Sequence, residues 1–143
     1  MKILASTDGS ELSYKALREA ALIAGKVKAE VTVIYVEDPV PHPSDEGYYF
    51  SEDSLKQYED RRKEDREKIT ADVREIFGAE GVEIKMLIEK GHAADTIIQL
   101  ADEGQFDLLV MGSRGWGGVN RLFLGSVSHA VVQNVKTSVL IVR

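Results

Sequence analysis

The sequence predicts a single α/β domain of three layers, α/β/α, built on a five-stranded parallel sheet. Three observations carry that expectation. Five short β-rich runs occupy residues 2–6, 30–36, 82–88, 106–111 and 138–142. Each gap between them holds a helical pattern, so the chain reads β-α-β-α-β-α-β-α-β. All runs but the third are nearly continuous in apolar residues, as strands covered on both faces should be. Strict alternation of this kind implies right-handed crossovers with helices on both sides of the sheet. A chain of 143 residues is one domain, long enough to bury a real core.

The first run, residues 2–6, leads into a helix over 11–26. Ser10 is its expected N-cap, and Leu17, Ala20, Ala21 and Ala24 share its inner face. The second run, 30–36, precedes a stretch over 38–50 that carries all three prolines, Pro39, Pro41 and Pro43, together with Gly47. Such a stretch should be an irregular loop. A long helix follows over 51–77, capped by Ser51 or Ser54, with Ile69, Val73, Ile76 and Phe77 facing the core. Residues 59–68 contain no apolar side chain and should be a solvated face tied by pairs such as Glu59–Lys63 and Glu64–Lys68. The third run alternates, with Val82, Ile84, Met86 and Ile88 set against Glu83, Lys85 and Leu87, so it belongs near a sheet edge. A helix over 93–101 turns Ala94, Ile97, Ile98 and Ala101 inward. The run over 106–111 ends at Gly112, and a short helix over 126–134 turns Val127, Ala130 and Val131 inward before the last strand, 138–142.

Composition removes several classes of function. The net charge of −6 argues against a broad nucleic-acid or membrane footprint, which needs excess Lys and Arg. There is no cysteine, which excludes disulfides, thiolate metal sites and cysteine nucleophiles. No apolar stretch approaches the roughly 18–20 residues of a membrane span. No charged and then apolar leader precedes the first strand, so the expected compartment is the cytoplasm.

The most informative segment is residues 110–128, which holds glycines at 112, 115, 117, 118 and 125. A buried strand that breaks into glycines and re-emerges as a helix is one way to gather backbone N–H groups around a phosphate. Neither familiar phosphate signature is met. Gly25-Lys26 is followed by Val27, not Ser or Thr, and Gly115-Trp116-Gly117 would need glycine where Asn120 stands. What remains is Gly112-x-x-Gly115, then nine residues, then Gly125-Ser126. Gly112 lets the chain turn at the strand end, and Gly115 is expected to supply a positive φ that turns N–H groups into an anion nest. Gly125-Ser126 opens the last helix, whose free N–H groups favour negative charge. Ser126 and Ser128 can add hydroxyls, Arg121 or Arg114 can face phosphate, and Leu122 with Phe123 can pin the segment to the body.

Catalytic machinery is not evident. Of the three histidines, His42 lies in the proline-rich loop, His92 opens a helix, and His129 follows Ser126 by three residues. A Ser126–His129 pair would still need an orienting acid and an oxyanion site. No H-x-x-x-H spacing points to zinc.

Taken together, these residues resemble the universal stress protein family from end to end. Ile3-Leu4-Ala5-Ser6-Thr7-Asp8-Gly9-Ser10 resembles its first strand and aspartate. Gly91-His92-Ala93-Ala94-Asp95-Thr96-Ile97-Ile98 resembles the turn after its third strand, without the family's usual proline. Residues 107–115 with Gly125-Ser126-Val127 resemble the full G-2x-G-9x-G-[S/T] signature of its ATP-binding branch. Ser138-Val139-Leu140-Ile141-Val142 resembles the last strand, with Ser138 where proline is usual.

The resemblance implies a Rossmann-like sheet of the adenine nucleotide alpha hydrolase kind, in strand order 3-2-1-4-5, with a ligand crevice at the carboxyl ends of strands 1 and 4. It implies that Thr7 and Asp8 meet the ribose or a Mg²⁺-bound phosphate, with Asp8 also readable as an N-cap or turn residue. Val36 would meet adenine. Met111, Gly112, Ser113, Arg114, Gly115, Gly125, Ser126, Val127 and Ser128 would surround ribose and phosphates. The implied ligand is ATP, or AMP or ADP, and the implied assembly is a homodimer through the last strand. The expected role is a nucleotide-dependent regulator or sensor. The alternatives are an interaction module with a vestigial or structural pocket, and a slow ATPase.

Overall fold

The computed structural model describes residues 1–39, 51–116 and 123–143. Nine elements follow in the expected order: β1 (Lys2–Thr7), α1 (Glu11–Val27), β2 (Glu30–Glu37), α2 (Glu52–Ala79), β3 (Ile84–Lys90), α3 (Ala93–Glu103), β4 (Leu108–Gly112), α4 (Ser126–Asn134) and β5 (Ser138–Val142). The strands form one parallel sheet in the order β3-β2-β1-β4-β5. The prediction of a three-layer α/β/α domain therefore holds.

The two faces of the sheet are sorted by residue parity. Ile3, Ala5, Val31, Val33, Val110 and Val142 pack with Leu17, Ala20 and Ala24 of α1 and with Ile69, Val73 and Phe77 of α2. Leu4, Ile34, Leu109 and Met111 pack on the other side with Ile97 and Ala101 of α3 and Val131 of α4. Helix α1 is set by its cap: the Ser10 hydroxyl accepts from the Ser13 N–H, and Lys28 closes the other end in a left-handed conformation. Of the two serines that could cap α2, Ser51 does so.

Several expectations are corrected. The third strand begins at Ile84, because the Val82 N–H is still bonded to the Phe77 carbonyl as the chain leaves α2. Ile88, expected inward, belongs to neither core and is 39% exposed at the end of this edge strand. In α2 the charged pairs are Lys63–Glu67 and Lys68–Asp72 rather than Glu59–Lys63 and Glu64–Lys68. Lys68 turns forward to Asp72, whose Oδ2 also accepts from the Tyr14 hydroxyl at 2.8 Å. The charged middle of α2 is also not wholly solvated. Arg66 Nη1 lies 3.1 Å from both carboxylate oxygens of Glu37, and Arg62 stands 3.8 Å away. Glu37 itself is 2% exposed, a buried carboxylate at the end of β2 neutralised from α2. Phe123, expected to pin the glycine segment, is 68% exposed. From residue 40 the expected loop over 38–50, with His42, lies outside the described residues, as do Arg121 and Leu122.

Candidate functional site

β1 and β4 are neighbours, yet the crossovers leaving them lie on opposite faces, α1 on one and α4 on the other. Their carboxyl ends must therefore part, and a crevice opens where they do. The pairing of the two strands runs from Ile3–Leu108 to Ala5–Val110 and stops there. Beyond it lies a cavity of about 410 Å³, the size range of small-molecule sites.

One side of the cavity is apolar. Ile34 and Val36 of β2, Ala93 and Ile97 of α3, and Met111 of β4 supply it. The facing wall is polar and comes from the two strand ends. Asp8 accepts from the Ser10 N–H at 3.0 Å and from the Ser10 hydroxyl, both through Oδ1. Asp8 is therefore a turn residue, while Ser10 performs the capping. Gly9 adopts φ +79 within that turn, a conformation suited to glycine. Behind it, Thr7 Oγ1 sits 2.9 Å from Ser13 Oγ and accepts from the Gly9 N–H. Since the Ser13 hydroxyl proton goes to the Ser10 carbonyl, Thr7 is the donor in that pair.

Gly115 and Trp116 close on this turn by contact rather than by backbone conformation. Gly115 is not among the positive-φ glycines, which corrects the expectation of a φ-driven nest. A Cβ at Gly115 would instead sit 2.2 Å from Asp8 Oδ2, so only glycine lets the segment approach the carboxylate. Gly112 is similarly close to the Leu12 carbonyl of α1, where a Cβ would stand at 3.2 Å. Trp116 donates its indole N–H to the Asp8 carbonyl at 2.8 Å.

The third wall is the start of α4. Gly125 is its N-cap and makes no side-chain cap bond. The helical ladder begins at the His129 N–H, which donates to the Gly125 carbonyl. The N–H groups of Ser126, Val127 and Ser128 therefore precede the ladder and have no intrahelical acceptor. All three residues line the cavity. The macrodipole adds partial positive charge at that end.

Of the sequence-predicted residues, Thr7, Asp8, Val36, Met111, Gly112, Arg114, Gly115, Gly125, Ser126, Val127 and Ser128 line this cavity. Ser113 does not. It is 4% exposed, its N–H donates to the Val142 carbonyl, and its own carbonyl accepts from the Gly125 N–H and the Ser128 hydroxyl. Ser113 is thus the tie between the two halves of the glycine signature. The Ser128 hydroxyl proton is spent on that tie and on the Gly125 carbonyl, so Ser128 offers the cavity its backbone N–H rather than a hydroxyl donor. Sequence reasoning missed Ser6, Ser13, Ile34, Ala93, Ile97 and Trp116. Ile34 was available from the period of a strand, since it shares a face with Val36. Ala93 and Ile97 are one helical turn apart, directly after the Gly91 turn.

Asp8 is the only acid among the described residues that line the cavity. Among the described residues there is no group of three His, Cys, Asp or Glu able to hold a metal ion by themselves. A cation beside Asp8 would need oxygens from the ligand and from water to complete its shell. His92 is the N-cap of α3, His129 is an exposed residue of α4, and neither lines the cavity.

Comparison with known proteins agrees with this architecture. The universal stress protein family model matches residues 1–143. Universal stress protein YxiE of Bacillus subtilis is 35% identical over 145 residues, covering 99% of this chain and 98% of its own. Universal stress protein UspA from Lactobacillus plantarum superposes with a TM-score of 0.82 at 24% identity, covering 100% of this chain and 97% of that one. A universal stress protein solved in complex with cAMP gives a TM-score of 0.72 at 28% identity, covering 100% and 97%. A family-wide match over every residue, on a sheet of the expected order, leaves one conclusion: the chain belongs to the universal stress protein family.

Proposed function

We propose that this protein binds an adenine nucleotide, ATP with Mg²⁺, in the cavity beyond β1 and β4, and acts as a nucleotide-dependent regulator in the cytoplasm. The observation that carries the reading is the convergence of two features on one cavity. The N–H groups of Ser126, Val127 and Ser128 open into it from the start of α4, and Gly115 leaves room for backbone to approach beside Asp8. Three unladdered amides at the positive end of a helix suit the negative charge of phosphate. Asp8 would face the ribose or share a Mg²⁺ with phosphate oxygens and water. The apolar side, with Val36 and Ile34, suits a flat base whose edge is read by backbone groups. That a relative of 28% identity has been solved with cAMP supports the class of ligand.

The same reading takes the protein as a homodimer paired through β5, a sheet edge in this fold. The test of the ligand is direct. Purified protein is heat-denatured and the supernatant is chromatographed. Released adenine nucleotide is the expected result. A clean supernatant, with no heat on titration of ATP–Mg²⁺, would favour an interaction module whose pocket is vestigial.

A further inference from the structure

Trp116 is the only tryptophan of the chain, and it stands at the cavity with 78% of its surface exposed. Its indole N–H donates to the Asp8 carbonyl across 108 residues of sequence. The ring edge lies over the same turn, since a Cβ on Gly9 would meet Trp116 Cζ2 at 3.8 Å. Gly115, one residue earlier, faces the Asp8 carboxylate at a distance that admits no side chain. Two successive residues of the segment after β4 are thus seated on the turn that carries Asp8. The pairing of β1 with β4 ends at Ala5–Val110, and the cavity opens past that point. The Trp116 bond rejoins the two walls on the far side of the gap.

We infer that Trp116 is a positioning residue for the nucleotide. Its hydrogen bond holds Gly115 against Asp8 and fixes the width of the phosphate side of the cavity. This rests on the nucleotide reading above. A role in stability alone does not account for the placement, because an indole so exposed removes little apolar area from water. The base side, formed by Val36, Ile34 and Ile97, lies on other elements and does not depend on the bond.

The experiment compares wild type with Trp116→Phe, which keeps an aromatic ring and removes the N–H. ATP–Mg²⁺ and adenosine are each titrated calorimetrically into both proteins, and unliganded melting is recorded. The variant is expected to bind ATP about fivefold more weakly, the worth of one hydrogen bond. Its adenosine affinity should stay within about twofold of wild type, while its melting temperature falls by about 3–4 °C, the stability share of the same bond. Equal ATP affinity in the two proteins, or an equal loss for ATP and adenosine, would overturn the inference while leaving the nucleotide reading intact. A wild-type protein that binds no ATP would overturn the nucleotide reading, and this inference with it.

Discussion

Replacing Gly115 with alanine puts one methyl group against the Asp8 carboxylate at the wall of the cavity. The new Cβ would lie 2.2 Å from Asp8 Oδ2 and 3.4 Å from its Cγ, where ordinary contact begins at 3.4 Å. Gly115 does not use the left-handed region, so alanine meets no backbone objection and the effect isolates the contact. Either Asp8 or the segment must retreat. If Asp8 turns, it gives up the two hydrogen bonds that Oδ1 accepts from Ser10. Bonds to a charged acceptor are worth about 1.5–3 kcal/mol each, and water recovers part of that at a half-exposed site, leaving a net cost of about 1–2 kcal/mol. If the segment withdraws, it gives up the Trp116–Asp8 bond, about 1 kcal/mol, and the cavity widens. Both routes shift Asp8 relative to the start of α4. Gly115→Ala is therefore expected to bind ATP about tenfold more weakly, a change of about 1.4 kcal/mol. Urea denaturation should show a loss of stability of about 1–2 kcal/mol. An unchanged dissociation constant together with an unchanged denaturation midpoint would refute the reasoning.

Four further outcomes follow from other parts of the molecule. Glu37→Ala leaves the Arg66 and Arg62 guanidinium groups beside a buried vacancy, and urea denaturation should register a loss of about 2–4 kcal/mol; a loss under about 0.5 kcal/mol would contradict the pairing. Burial, and then the hydrogen bond to Asp72, hold the Tyr14 hydroxyl well above the ordinary value of 10.0, and burial raises that of Tyr35. An ultraviolet titration should accordingly show Tyr14 and Tyr35 ionising late, and the late amplitude should shrink in Tyr14→Phe. Because the unfolded chain loses the Tyr14 proton near pH 10 and the folded chain keeps it, stability should fall as pH rises above 10, and fall less steeply in Tyr14→Phe; equal slopes would count against the assignment. Light scattering at micromolar concentration should give twice the chain mass of 15.8 kDa, and a monomer would remove the dimer from the proposed function.

The fold was legible because its signals are redundant. Apolar runs, turn residues and caps each repeat the same alternation, and parity alone sorts Ile3 from Leu4 and Leu109 from Val110 onto opposite cores. Strand order was not readable from pattern. It came from the family resemblance, because nothing local in β1 says that β4 rather than β5 lies beside it.

The site was legible to the extent that it is made of backbone. Gly112, Gly115 and Gly125 were found because a missing side chain is itself a signal. The reason for Gly115 was not readable, since the group it makes room for, Asp8 Oδ2, lies more than a hundred residues away in sequence. Ser113 was expected at the ribose and phosphates for the same cause: only the folded chain shows its amide and carbonyl spent on Val142, Gly125 and Ser128. The Arg66–Glu37 pair escaped because an even mixture of charge along α2 looks like solvated surface until β2 places an acid beneath it.

The central claim is that the cavity beyond β1 and β4 holds an adenine nucleotide. Calorimetric titration of ATP–Mg²⁺ into protein stripped of bound ligand tests it most directly. The account predicts saturable binding at one site per chain, with ATP bound more tightly than adenosine, because the start of α4 and the Asp8–Gly115 gap serve the phosphates. Absence of heat, or adenosine binding as tightly as ATP, would contradict it.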